Sequence, residues 1–181
     1  AQESRGLGDV YKRQPDPTVI KAADGYFYVY ATESTRNVPI MKSKDLVEWT
    51  YCNTAFTNKT RPRFEPKAGI WAPDINYING KYVLYYAMSV WGGEQTCGIG
   101  VATANSPQGP FTDHGKMFRS NEIGVQNSID PSLLQYEGRN YLVWGSFRGI
   151  YVIELTEDGL SLKPGAEKKR IAGTAFEAAY I

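Results

Sequence analysis

The chain is short of cysteine, histidine, net charge and long apolar runs, and each shortage removes a class of function. Its two cysteines, Cys52 and Cys97, lie far apart with no metal-like spacing. Each reads as a small buried residue rather than a ligand, and a disulfide between them is open but unsupported. The one histidine, His114, falls in Thr112-Asp113-His114-Gly115, a polar turn on the outer side of a repeat, where exposure fits better than catalysis. Twenty basic against nineteen acidic residues leave a formal charge of +1, which gives no electrostatic case for nucleic acid or an anionic membrane. No apolar stretch approaches the ~20 residues of a membrane span. Helical periodicity is missing as well, which excludes a doubly wound α/β sheet.

An initiator methionine is also absent. Residues 1–14, with Arg5-Gly6-Leu7-Gly8-Asp9 at their centre, carry no periodicity continuous with the rest of the chain, and they read as a non-native, adapter-like leader to be set aside from fold reasoning. With 181 residues the chain can bury a sizeable core, as one domain or part of a larger one. Thirteen tyrosines and four tryptophans are many; amphipathic rings suit both a β-rich interior and a sugar-stacking surface.

From Asp16 onward the chain repeats. Thr18 to Ala22, a turn at Asp24-Gly25, and Tyr26 to Tyr30 predict two antiparallel strands, with two more at Val38 to Ser43 and around Trp49. The order recurs after Asp74 with Asn79-Gly80 as the turn, and after Asp130 with Glu137-Gly138; the offsets are 58 (16 to 74) and 56 (74 to 130). Four short strands at this period predict β-propeller blades. The fold class is therefore all-β, with blades at about 16–73, 74–129 and 130–173 and the start of a fourth from 174, inside one partial domain over 15–181. A propeller closes with at least four blades, so the sequence reads as an N-terminal fragment.

Asp16, Asp74 and Asp130 stand just before the first strand of successive repeats, and Glu177 just before that of the fourth. In a propeller that strand lies next to the axis, so these residues ring one mouth of the channel. Singly, Asp-Pro and Pro-Asp are turn dipeptides; the shared phase is what points to function. Carboxylates converging on one face can cleave a glycosidic bond, one ionised to activate water and one protonated to serve the leaving oxygen, about 6.5–9.5 Å apart when configuration is inverted. Trp71, ahead of the second inner strand, and Trp91, in a loop with Gly92-Gly93, are candidates for stacking on a sugar, with core packing the other reading of Trp71. Trp49 and Trp144 sit in strand patterns and read as core. Asn127 and Ser146 flank the Asp130 strand pair and are candidates to bond sugar hydroxyls or Asp130.

At these residues the chain resembles glycoside hydrolase family 43, particularly its arabinan-degrading members. The resemblance covers Pro15 to Ile181 and rests on Asp16-Pro17-Thr18-Val19, Ser43 to Trp49, Trp71-Ala72-Pro73-Asp74, Gly98 to Thr103, Ile129-Asp130-Pro131-Ser132, Trp144-Gly145-Ser146 and Glu177-Ala178-Ala179-Tyr180-Ile181. It implies a five-bladed propeller and inverting hydrolysis, with Asp16 as general base, Glu177 as general acid, and Asp130 as the residue that orients the acid and raises its pKa. The last role has a physical basis, because a neighbouring anion helps a carboxyl keep its proton.

The implied partner is an oligo- or polysaccharide with α-L-arabinofuranosyl linkages. The alternatives are a β-xylosidase, another five-bladed glycosidase such as a fructan-cleaving enzyme, and a non-catalytic sugar-binding or protein-interaction propeller. No nucleic acid, membrane or cofactor is called for by this sequence. The histidine that holds a metal near the axis in many relatives lies later than residue 181, so no metal site carries over and calcium stays open for a full-length protein. Arabinan is extracellular, so the expected location is secreted or periplasmic.

Overall fold

A computed structural model describes residues 15–33 and 35–181, so the leader at 1–14 lies outside the described residues. The described chain forms three four-stranded antiparallel sheets, each built from consecutive strands paired in chain order. The first holds β1 (Thr18–Lys21), β2 (Phe27–Tyr30), β3 (Pro39–Ser43) and β4 (Thr50–Thr54). The second holds β5 (Gly69–Ile78), β6 (Lys81–Ser89), β7 (Gly98–Ala104) and β8 (Thr112–Arg119). The third holds β9 (Ser132–Tyr136), β10 (Arg139–Trp144), β11 (Ile150–Glu154) and β12 (Lys169–Ala172). Residues 173–181 continue without a strand.

Turn chemistry explains the hairpins. Ile78 pairs with Lys81 and Tyr136 with Arg139, leaving two-residue loops at Asn79-Gly80 and Glu137-Gly138 whose residues all have positive φ. That is the twist which matches two antiparallel strands, and glycine adopts it without a Cβ clash. The first hairpin is longer than expected, because Lys21 pairs with Phe27 and five residues intervene. There the Asp24 carboxylate closes the loop by accepting from Tyr26 N at 3.0 Å and from Tyr28 Oη at 2.8 Å.

β6 shows how the blades stack. Leu84, Tyr86 and Met88 belong to the core shared with the first blade, among Tyr28, Tyr30, Ile40 and Phe56. The alternate residues Val83 and Tyr85 belong to the core shared with the third, with Val101, Phe118, Leu142 and Trp144. Period-two alternation between two buried faces turns Tyr82 to Met88 into a near-continuous apolar run. Five of the tyrosines, Tyr28, Tyr30, Tyr82, Tyr85 and Tyr86, are buried core residues, and a buried ring also needs a partner for its hydroxyl. Tyr85 donates to Gly159 O at 2.8 Å, Tyr86 to Asp113 Oδ1 at 2.6 Å, and Tyr30 to Pro107 O.

Several local expectations change. Trp144 is fully buried, but Trp49 is half-buried in the bend before β4, its indole N–H donating to Leu46 O at 3.2 Å. His114 lies on strand β8 rather than in a turn, and it is exposed beside Thr103 Oγ1. Cys97 is buried and Cys52 half-buried, and both thiols are free. A single-turn helix, α1 (Ser120–Ile123), follows β8. It is too short to leave a periodic pattern, and Glu122 caps it by accepting from Arg119 N at 2.9 Å.

Gly145, between Trp144 and Ser146, is required on two grounds. Its φ is 127°, and a Cβ there would lie 2.2 Å from Gly149 O. Its N–H also holds Ile129 O at 2.9 Å, next to Asp130. Gly145→Ala is expected to cost about 2–4 kcal/mol through combined backbone strain and overpacking, read as a lower midpoint in urea unfolding.

Candidate active site

Asp16 and Asp130, each just ahead of an innermost strand, and Ala72, inside β5, carry the same backbone twist. Asp16, Ala72 and Asp130 have φ of 50°, 40° and 57°, and each precedes a proline. Pre-proline residues are pushed toward extended conformations, so each twist is strained by about 1–3 kcal/mol and needs its surroundings to hold it. Ala178, at φ 50°, repeats the conformation.

This geometry corrects the expected phase. The second-blade counterpart of Asp16 and Asp130 is Ala72, and Glu177 stands one residue before Ala178. Asp74 lies two residues beyond Ala72, inside β5, which begins at Gly69 rather than near Ile75 and bulges between Trp71 and Asp74. The Asp74 carboxylate is buried and joins three blades. Oδ1 accepts from Thr18 Oγ1 at 3.4 Å, and Oδ2 from Leu133 N and Asn76 Nδ2, each at 2.7 Å. Asp74 is thus an inter-blade staple. Trp-Ala-Pro-Asp and Asp-Pro share the proline, not the carboxylate.

Asp16, Asp130 and Glu177 do meet, in a cleft of about 580 Å³ that Trp71, Trp91, Asn127 and Ser146 also line. Asp16 Oδ2 accepts from Thr32 Oγ1 at 2.6 Å. Asp130 Oδ2 accepts from Ala178 N at 3.2 Å, which ties it to the backbone beside Glu177. Glu177 Oε2 accepts from Ser146 Oγ at 3.3 Å, while Asn127 Nδ2 donates to Ser146 O at 2.9 Å. Ser146 therefore serves Glu177 rather than Asp130, and Asn127 braces Ser146. The Trp71 and Trp91 rings lie 5.6 Å apart at 51°, with Trp91 94% exposed. Large apolar surface held in water beside polar groups is what a sugar face covers.

Two contributors carry no sequence motif. Thr32 reaches Asp16 across sixteen residues (16 to 32). Glu94, in the Trp91 loop, accepts from Arg148 Nε and Nη2 at 3.0 and 3.1 Å and from Gln126 Nε2 at 2.6 Å, so one carboxylate ties three loops along the cleft wall. Neither is legible in the sequence, because both act between segments that are distant along the chain. Among the described residues no group of three His, Cys, Asp or Glu side chains is arranged to hold a metal.

Burial, then the neighbouring Asp16 and Glu177 carboxylates, push the Asp130 carboxyl up to about 7, against the opposing pull of Ala178 N–H. Burial likewise lifts Asp74 to about 6, against its hydrogen-bond donors. Both acids hold protons in the folded state that the unfolded chain has released, so their contribution is full below the ordinary aspartate value of 3.8 and is lost as pH rises through about 6 and 7. Asp45, Glu122 and Asp158 are shifted down, so their contributions are lost only in more acidic solution. The melting temperature should therefore fall between about pH 4 and 8. Asp130→Asn, which cannot ionise, should flatten that fall in a calorimetric pH series.

Stacked four-stranded blades, with three carboxyls, a half-buried and an exposed tryptophan in one cleft, are what a propeller of the glycosidase class presents. The chain belongs to glycosyl hydrolases family 43, whose model matches residues 10–181. It is 37% identical to the extracellular endo-alpha-(1->5)-L-arabinanase 1 of Bacillus subtilis strain 168 over 177 residues, 90% of this chain and 54% of the relative. It is 32% identical over 137 residues to arabinan endo-1,5-alpha-L-arabinosidase A of Aspergillus niger, covering 73% of this chain and 41% of that one. The solved Cellvibrio cellulosa alpha-L-arabinanase superposes with a TM-score of 0.77 at 29% identity, over 88% of this chain and 53% of that one. That enzyme has also been solved with arabinohexaose. The chain spans about half the length of the curated relatives it matches.

Proposed function

We propose that the protein hydrolyses α-L-arabinofuranosyl linkages of arabinan with inversion. Asp16 is the general base, Glu177 the general acid, and Asp130 the residue that positions the acid. The observation that carries the reading is the convergence of these carboxyls, from three separate segments, on a cleft walled by Trp71 and Trp91. The arabinanase names of the similar proteins support the choice of sugar.

Each group suits its role. With Oδ2 engaged by Thr32, Asp16 Oδ1 has no donor among the described residues and is free to draw a proton from water. Glu177 is exposed at the cleft edge, where a leaving oxygen can reach it, and Ser146 orients it. Asp130 acts from beneath through Ala178 N–H. Stacking on Trp71 and Trp91 holds the chain of sugars while water attacks from the opposite face. Action on a cell-wall polymer places the protein outside the cell, in agreement with a similar protein named extracellular. Among the described residues no helix is long and apolar enough to cross a membrane.

The test is hydrolysis by the complete gene product of linear arabinan and arabino-oligosaccharides beside xylo-oligosaccharides, with the first product's anomeric configuration tracked by NMR. Arabinose or arabino-oligosaccharide release with inverted configuration is expected. Preference for the xylo series, or retained configuration, would overturn the substrate or the mechanism respectively.

A further inference from the structure

We propose that Thr32 is a positioning residue for Asp16 and holds that carboxylate in register with the Trp71 wall, an inference that rests on the reading of Asp16 as the base. Thr32 comes just after β2 and belongs to none of the motifs that mark the site. Its backbone N–H donates to Pro15 O at 3.0 Å, pinning the residue just before Asp16. Its hydroxyl donates to Asp16 Oδ2 at 2.6 Å and accepts from Ala72 N at 2.7 Å.

The direction of the hydroxyl proton is fixed by these contacts. A threonine hydroxyl has one hydrogen, and the Ala72 N–H can only donate, so the hydrogen points at Asp16. A hydrogen bond given to a carboxylate is short and strong. It favours the ionised form and leaves Oδ1 to the water. The same contact secures Ala72, whose φ of 40° is strained ahead of Pro73. Glu33 completes the clamp on the other side of Trp71, donating its N–H to Ile70 O at 3.1 Å and accepting from Ile70 N through Oε1 at 2.9 Å. Thr32 and Glu33 thus grip Ile70 and Ala72, with Trp71 between them.

The lining around Asp16 makes the hydroxyl matter. Asp130 and Glu177 face it across the cleft, Glu94 stands in the wall, and no Lys, Arg or His lines this space among the described residues. Arg148 is engaged with Glu94. With no cation in the cleft, the Asp16 carboxylate is held by neutral donors, and Thr32 is its side-chain donor among the described residues.

The test compares Thr32→Val, an isostere without the hydroxyl, with Thr32→Ser, which keeps it. In the complete gene product acting on arabino-oligosaccharide, Thr32→Val should lower kcat about tenfold or more with KM little changed, as loss of a bond to an ionised group does. The acidic limb of its kcat/KM profile should move up by about one pH unit, the equivalent of tenfold. Thr32→Ser should restore most of both. A carbon-13 titration of the Asp16 carboxyl should show the same upward move in Thr32→Val and not in Thr32→Ser, independently of turnover. Should Thr32→Val fail to fold, Thr32→Ala carries the same expectation. An unchanged acidic limb and carboxyl titration would overturn the inference even if the rate fell, because a merely structural residue would leave both in place. Absence of hydrolysis of both the arabino and the xylo series in the wild type would instead refute the assignment of Asp16 as base while the titration still decides the hydrogen bond.

Discussion

Glu177→Gln is expected to cut turnover of arabino-oligosaccharides by about 10²–10⁴-fold, the usual cost of losing a positioned general acid, while sparing an activated aryl arabinofuranoside. A sugar alkoxide leaves poorly unless protonated as the bond breaks, whereas a nitrophenolate leaves almost unaided. The acid is therefore needed in proportion to the basicity of the leaving group. Asp16→Asn should fall by a similar factor on both substrates, because water must be activated whichever group departs. Steady-state kinetics of both variants of the complete gene product on the two substrates checks the assignment. Equal losses for Glu177→Gln would reverse it, and wild-type rates for both variants would leave a sugar-binding propeller as the surviving reading. Ser146 donates to Glu177, so Ser146→Ala should show the acid pattern in weaker form.

Glu33→Ala should destabilise the fold by about 3–5 kcal/mol, the cost of removing one partner from a buried ion pair. Glu33 and Arg61 retain only 10% and 7% side-chain exposure, and the carboxylate meets Nη1 and Nη2 of the guanidinium, each at 2.5 Å. It also accepts from Asn37 N at 2.8 Å and Ile70 N at 2.9 Å, and Arg61 donates onward to Ala68 O at 2.9 Å. Deleting Glu33 strands a buried cation and two backbone N–H groups, so the penalty exceeds that of an exposed pair such as Lys163 with Glu154. Glu33→Gln should cost less, since it can still accept from the backbone. The double variant Glu33→Leu with Arg61→Met should lose less than the sum of the single changes, because no charge is left alone. Urea unfolding of the set measures this, and additive losses would show that the pair is not coupled.

Much of the fold is open to reading from residues alone. The turns at Asn79-Gly80 and Glu137-Gly138, the alternation along Tyr82 to Met88 and the period of about 57 residues are local chemistry. They place nearly every strand to within a few residues. The exception at β5 has a physical source: Pro73 interrupts the ladder, so a strand that runs on through a bulge looks like two separate pieces. The same interruption hides the role of Asp74, since a carboxylate after the proline enters the strand and one before it faces the cleft.

By itself the sequence determined the class of the molecule: repeated four-stranded blades, stacked through alternating apolar faces, with Asp16 and Asp130 in matching places ahead of two inner strands. Only the tertiary structure decided which carboxylate belongs to the cleft and which to the axis, that Ser146 serves Glu177, and that Thr32 and Glu94 belong to the site. Those contacts join residues 16 to 59 positions apart, from Thr32 with Asp16 to Leu133 with Asp74. Alternation and turn chemistry specify a strand and its immediate neighbour, whereas contacts between blades depend on how each sheet is rotated about the axis. That rotation is set by the packing of β6 against both neighbouring sheets, and no short stretch of sequence contains it.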